Sequence, residues 1–179
     1  MSELDWTVTE AYGFYELVTD EYVSPVHSMK VGAHIAGYCI FVFNGKTNII
    51  NGDITCYIKE FEPTPDALLL LRMQSPNELN NCYAAWLHRD MSRIYRIENG
   101  FWVLLASGNK QDTTPEFSRF KFRVKENHLE LFQEINGAWI KLLEVDDDTF
   151  SSGAVGFGCT SGYHGAYDLF DNVEVSEEA

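Results

Sequence analysis

Arginines and aromatic residues crowd one stretch of the chain: Arg72, Trp86, His88, Arg89, Tyr95 and Arg96 fall on three neighbouring strand-like segments. Guanidinium and imidazole groups offer directed N–H donors, and aromatic rings offer flat apolar faces. A pyranose can accept the first through its hydroxyls and lie on the second with its apolar side. Trp86 and His88 share a face by alternation, as do Arg93 and Tyr95. A second candidate is Ser161-Gly162-Tyr163-His164-Gly165, because loop aromatics flanked by glycines seldom serve a core. The candidate ligand-binding set is therefore Arg72, Trp86, His88, Tyr95, Tyr163 and His164, with a glycan or polysaccharide as partner. Each has a plainer alternative. A strand tryptophan in a sandwich is ordinarily core, which weighs on Trp86 and assigns Trp102 and Trp139 to the interior. For Arg72 the alternative is a buried ion pair that steadies the sheet.

Other chemistries find less support. The five histidines, His27, His34, His88, His128 and His164, are scattered and show no paired metal spacing. No Ser/His/Asp order stands out. Gly156-Phe157-Gly158 with Gly162 is off the spacing of a dinucleotide loop, and no helix follows it. Cys39, Cys56, Cys82 and Cys159 form no CxxC pair. Cys56 lies in the alternation Ile54, Cys56, Ile58, the habit of a buried, reduced thiol. The chain carries 13 Lys+Arg against 27 Asp+Glu, a net charge of -14, so a phosphate backbone is repelled and no nucleic-acid partner is expected. Residues 72 to 125 reverse that balance, with nine basic residues against five acidic. Pairing within the chain explains this more simply than an anion-facing surface does.

The 179 residues amount to one ordinary domain, read here as 1–179. Hydrophobic residues at 45% exclude a disordered chain, and aromatics at 14% lean towards strands. The clearest strand is Phe117 to Lys125, where Phe120, Phe122 and Val124 alternate with Arg119, Lys121, Arg123 and Lys125. Glu126-Asn127-His128 then reads as a tight turn into HLELFQEI, and Asn136-Gly137 as a type I′ hairpin turn into AWIKLLEV. The basic ribbon can therefore face Glu130 and Glu134 across the hairpin. Asn99-Gly100 turns the chain from SRIYRI into FWVLLAS. Phe14 to Val18, Ser28 to Ile35 and GYCIFVFN complete the early strands, and a short helical turn fits Ser75 to Asn80. Eleven or more short strands predict an all-β, two-sheet antiparallel sandwich. No apolar run approaches a membrane span. MSELDWTVTEAYG has neither the basic nor the apolar part of a signal peptide, so synthesis in a cytoplasm is expected.

The order of segments from residue 51 to 175 resembles the concanavalin A-like lectin/glucanase superfamily. More narrowly it resembles laminin-G-like and 3-keto-disaccharide-hydrolase-like jelly rolls. The residues that carry the likeness are Arg72, Tyr83, Asn136-Gly137-Ala138-Trp139, Ser152-Gly153-Ala154-Val155-Gly156 and Phe170-Asp171-Asn172-Val173. The resemblance implies a jelly roll whose concave face or edge loops bind sugars. The glucanase branch needs a Glu-x-Asp-x-x-Glu strand with two carboxylates on one face. Glu144-Val145-Asp146-Asp147-Asp148 comes nearest, lacks the last Glu and reads as a solvated strand end, so no catalytic residue is assigned. The resemblance also places a structural calcium at Asp171, where Asp168, Glu3, Asp5 and Asp146 to Asp148 could supply further oxygen ligands; the plainer alternative is that Asp171 caps a loop or pairs with a nearby backbone N–H. Lone copies of such domains occur in virus particles. It therefore implies a virion surface as one location and capsid, tail or self-association as protein contacts. A structural decoration or spike protein is the alternative to a glycan-binding module, and a glycoside hydrolase is the third reading.

Overall fold

Alternating apolar and polar residues produce twelve strands and, among the described residues, no helix. The computed structural model describes residues 6–19, 22–23, 28–45, 47–61, 65–160 and 166–178. The first six strands are β1 (Trp6–Val18), β2 (Ser28–Phe43), β3 (Gly52–Lys59), β4 (Asp66–Met73), β5 (Cys82–His88) and β6 (Met91–Glu98). The rest are β7 (Phe101–Asn109), β8 (Ser118–Lys125), β9 (His128–Ile135), β10 (Ala138–Asp146), β11 (Ala154–Thr160) and β12 (Tyr167–Glu177). All pairings are antiparallel, in the order β10-β9-β8-β3-β12-β2-β11-β4-β5-β6-β7, with β1 on the free side of β2.

The long β2 belongs to two layers. Its start, Met29 to Gly32, pairs with β12, and its end, Tyr38 to Val42, pairs with β11. β1 follows both halves and shifts register between Ala11 and Gly13. The ribbon thus folds into two facing sheets of a β-sandwich jelly roll, with β1 and β2 shared between them. The sequence suggests two strands over this region; the structure has one, because the chain crosses between sheets there without turning back.

The inner faces meet in one apolar cluster. Leu69, Leu71, Tyr83, Ala85 and Leu87 of one sheet meet Ile54, Cys56, Phe120, Phe122 and Leu131 of the other. Each leucine, isoleucine or phenylalanine among them contributes about 1.5–3 kcal/mol on burial. The sheet containing β4 to β7, here the second sheet, carries another apolar cluster on its outer face. It includes Leu68, Leu70, Ala84, Trp86 and Ile97. That double burial explains the unbroken apolar run Ala67 to Leu71, whose alternate residues serve both faces.

Turn chemistry follows the residues. Asn99 and Gly100 have φ of 51° and 81°, and Asn136 and Gly137 have 53° and 79°, the left-handed pair that a type I′ turn requires. Residues 75–80 form turns and no helix. There the Asn80 and Asn81 side chains accept N–H bonds from Gly100 at 2.7 Å and Asn99 at 2.9 Å. These two bonds hold the segment against the β6–β7 hairpin. The basic ribbon of β8 pairs as expected: Arg123 Nε donates to Glu130 at 2.8 Å, and Arg119 lies 3.5 Å from Glu134.

Arg72 is the structural exception in β4. Leu71 and Arg72 together stand opposite Val155, a bulge, and Arg72 takes φ of 51°. The bulge turns its guanidinium inward, where it is 2% exposed. It donates to Phe150 O and Ile50 O, each at 2.6 Å, and to Glu126 O. Burial holds its pKa below the usual arginine range. The expected buried ion pair is thus a set of three carbonyl bonds. Arg72→Leu is expected to cost about 3 kcal/mol or more, because the carbonyls lose their donor. Arg72→Lys should recover only part, since one ammonium cannot span the three acceptors. Urea unfolding midpoints measure both.

Candidate functional site

On the outer face of the second sheet, Asp66, Trp86, Arg93, Tyr95, Trp102 and Thr160 line an open cleft of about 310 Å³. Strand pairing assembles it. Asp66 faces Thr160 across β4 and β11, and Trp86 faces Arg93 across β5 and β6. The Arg93 guanidinium lies over the Trp86 ring, 4.7 Å from its centroid, and Nη1 donates to the Tyr95 hydroxyl at 3.0 Å. His88 stacks on Trp86 with centroids 5.5 Å apart and planes 14° from parallel. His88 Nδ1 lies 3.1 Å from Asp66 Oδ1. Tyr95 meets Trp102 edge to face at 5.2 Å. The cleft thus joins aromatic surface, a carboxylate, a hydroxyl and a guanidinium.

Of the six residues assigned from sequence, Trp86, His88 and Tyr95 come together here. Trp86 is only 9% exposed and packs in the outer apolar cluster, so it supports Arg93 and His88 more than it offers a free face. Trp102 corrects its assignment to the core: it sits on the last strand of the sheet, opposite Ile97 on the outer face, and is 38% exposed. Trp139 is also not interior; Arg119 and Lys121 lie over its ring. Arg72 lies outside this cleft, engaged as described above. Arg96 points to the opposite face and pairs with Asp147 at 2.7 Å. Tyr163 and His164 lie outside the described residues. Arg93, Asp66, Trp102 and Thr160 escaped the sequence-based assignment. The available signal was Arg93 sharing a face with Tyr95; Asp66 reads only as a turn residue until its pairing is known.

Asp168 and Asp171, named for calcium, do not form one site; Glu3 and Asp5 lie outside the described residues. Phe170 belongs to the core between the sheets, so Asp168, two residues before it, points inward, and Asp171 points outward. Asp168 is fully buried and accepts Phe61 N–H at 3.4 Å. Asp171 accepts Val23 N–H and Asn172 N–H, each at 2.6 Å, one on each oxygen. A single ion cannot be shared by groups on opposite faces of β12.

The acidic strand end is also more structured than its composition suggests. Asp147 accepts the Tyr83 hydroxyl at 2.7 Å as well as Arg96. Burial works against this carboxylate, yet the bonds from Tyr83 and Thr149 outweigh it and hold its pKa below the usual range. Burial pushes the Tyr83 hydroxyl up to about 12. Asp147 is thus a structural acceptor and not a solvated turn residue. The four cysteines are free and buried. Burial raises Cys39 and Cys82 to about 12, which keeps both as thiols.

One cluster was invisible in the sequence. Antiparallel pairing of β9 with β10 sets His128 opposite Asp146 and Glu130 opposite Glu144. His128, Glu130 and Glu144 place ligand-type atoms within 4.8 Å of one another. Arg123 and Lys141 already hold these carboxylates. His128 Nδ1 sits 2.6 Å from Asp146, and that bond is the leading cause of its raised pKa.

No protein-family model matches the sequence, and no curated protein sequence matches it. Solved structures do. A carbohydrate binding module, CBM66 from Bacillus subtilis, superposes at a TM-score of 0.75 over 97% of this chain and 96% of its own, with 13% identity. A legume lectin-like domain from Entamoeba histolytica gives 0.66 over 98% and 91%, with 9% identity. The fold is the concanavalin A-like jelly roll. The exoplasmic/lumenal domain of VIP36, in a form bound to Ca2+ and Man3GlcNAc, shares this jelly roll at 0.65 over 99% and 90%, with 8% identity.

Two measurements follow from these side chains. Equal melting temperatures in millimolar calcium and in chelator are expected, because Asp171 is already bonded and Asp168 is enclosed. A higher melting temperature in calcium would overturn that expectation. His128 is expected to titrate above the usual histidine value of about 6.5, and Asp146→Asn to lower its midpoint. The pair's stabilisation is complete below the unfolded pKa and is lost as pH rises through the folded one. Histidine NMR titration reads both midpoints.

Proposed function

We propose that this chain is a non-catalytic carbohydrate-binding module and that its glycan occupies the cleft between Asp66, Arg93 and Trp102. The observation that carries the reading is the convergence, on one sheet face, of an accessible tryptophan with hydrogen-bonding groups of both kinds. Sugar recognition needs such a set: an apolar face for the ring and fixed donors and acceptors for the hydroxyls. The jelly-roll likeness to a carbohydrate binding module and to lectin-like domains supports the same reading. A hydrolytic role finds less support, because Asp147 and Glu130 are held by Tyr83, Arg96 and Arg123. Tyr163 and His164, outside the described residues, remain candidate glycan contacts on their residue types and their nearness in sequence to Thr160.

A second reading, a structural protein that uses the scaffold for contacts, is favoured by β7. This edge strand exposes Phe101 by 75% and Leu104 by 51%. Display on a virus particle fits either reading and rests on the sequence resemblance alone.

A glycan array with purified protein separates the two. The carbohydrate reading expects reproducible binding to one sugar class. Trp102→Ala should then weaken it about fivefold, since a stacked ring contributes about 1 kcal/mol, with an unchanged melting temperature. Tyr163→Ala tests the loop in the same way. A blank array, together with a defined oligomer in solution, would transfer the assignment to the structural reading.

A further inference from the structure

We propose that the cleft on the outer face of the second sheet takes an acidic saccharide, with Arg93 as the fork that receives the sugar carboxylate. The inference rests on the carbohydrate reading of the same cleft and adds the chemical class of the ligand.

Carboxylates outnumber cationic side chains in this chain, 27 to 13. A cation left without a carboxylate has therefore been kept from one by its placement. Arg96, Lys110, Arg119, Arg123 and Lys141 each hold an acidic partner. Arg72 spends its donors on backbone carbonyls. Among the described residues, Arg93 contacts only the Trp86 ring and the Tyr95 hydroxyl. Lys121 shares that condition, but it lies over Phe132 and Trp139 on the other sheet. Among the described residues Arg93 thus has no carboxylate partner, and the one carboxylate lining the cleft, Asp66, lies against His88.

A guanidinium has five N–H donors, and the bond to Tyr95 uses one. Its Cζ lies 4.7 Å from the Trp86 ring centroid, a contact that restrains the group without consuming its charge. The result is a fork oriented before any ligand arrives, so little ordering cost remains at binding. A planar carboxylate is the acceptor that matches two parallel N–H donors. Neutral sugars accept the same donors through their hydroxyls but leave the charge without a counter-ion.

The cleft is also polar along its length. Asp66 and Thr160 lie on β4 and β11, and Arg93 and Tyr95 lie on β6. An anionic group is repelled at the Asp66 end and held at the Arg93 end, while hydroxyls can donate to Asp66. The arrangement sets one direction for a uronate ring, with its apolar side towards Trp102. The net charge of -14 opposes an acidic polymer at long range. At physiological ionic strength, charges beyond about 8 Å are largely screened, so the contacts in the cleft decide.

The test is titration calorimetry with oligogalacturonate, oligomannuronate, oligoguluronate and hyaluronan oligosaccharides, each beside its carboxyl-reduced counterpart. At least one acidic form should bind about tenfold or more tightly than its reduced form. Arg93→Gln should abolish that difference, and Arg93→Lys should keep part of it. Circular dichroism melts of both variants check that the fold persists. If Arg93→Gln does not fold, Arg93→Lys and the acidic-versus-reduced comparison on the unaltered chain still decide. Equal or tighter binding of the reduced sugars overturns the proposal, as does an acidic preference that survives in Arg93→Gln. Neutral glycans that bind through Trp102 while the uronates do not would overturn it and leave the carbohydrate reading standing. No binding of any glycan would overturn both.

Discussion

A buried guanidinium holding three backbone carbonyls is the constraint on which this jelly roll depends. Arg72 reaches the loop before β3, the turn between β8 and β9 and the loop before β11. Those segments lie far apart in sequence and belong to both sheets. Their carbonyls have no strand partner, so the arginine supplies what the ladder cannot. The left-handed backbone at Arg72 costs about 1–2 kcal/mol, and the three bonds offset it. Next to it, Tyr83, Asp147 and Arg96 form a second polar knot. The sandwich is therefore closed at one end by hydrogen bonds and filled between its sheets by apolar packing.

That division of labour leaves the outer face of the second sheet available. β4 and β5 already bury residues on both faces, so the sheet is rigid beneath the cleft. Successive hairpins then place β5, β6 and β7 side by side, and alternation decides which residues emerge. Ile94 points inward while Arg93 and Tyr95 point outward. The cleft is thus a by-product of regular strand geometry. Its side chains are fixed by cross-strand contacts and need no long loop to carry them.

Much of this was legible in the residues. The alternation of Phe120, Phe122 and Val124 with a basic ribbon gave the strand, its inner face and its partners Glu130 and Glu134. The two Asn-Gly pairs gave hairpin turns in the expected left-handed conformation. Trp86, His88 and Tyr95 could be grouped because they lie close in sequence on adjoining strands. Asp66, Trp102 and Thr160 could not, because their grouping depends on which strands neighbour which. The order β11-β4-β5-β6-β7 is a property of the whole sheet. The misreading of Trp102 and Trp139 has a similar cause: a large ring is usually interior, but both sit on terminal strands, where one flank meets solvent. His128 and Glu144 are distant in sequence and meet only through hairpin register.

The bare edge at β7 has a consequence for how the protein stays dispersed. Phe101 to Asn109 contains no charged residue, whereas the other outer strands carry their own: Glu10 and Glu16 on β1, Lys141 and Glu144 on β10. Strand edges usually keep neighbours away with local charge. Here that duty falls to the excess of 14 negative charges spread over the rest of the molecule. Mutual repulsion between whole molecules, and not a guard residue on the strand, is then what opposes the approach of one β7 to another. Colloidal stability is thereby tied to pH and salt: near the isoelectric point of about 4.6, or in concentrated electrolyte, the repulsion fades and the strand is left unprotected.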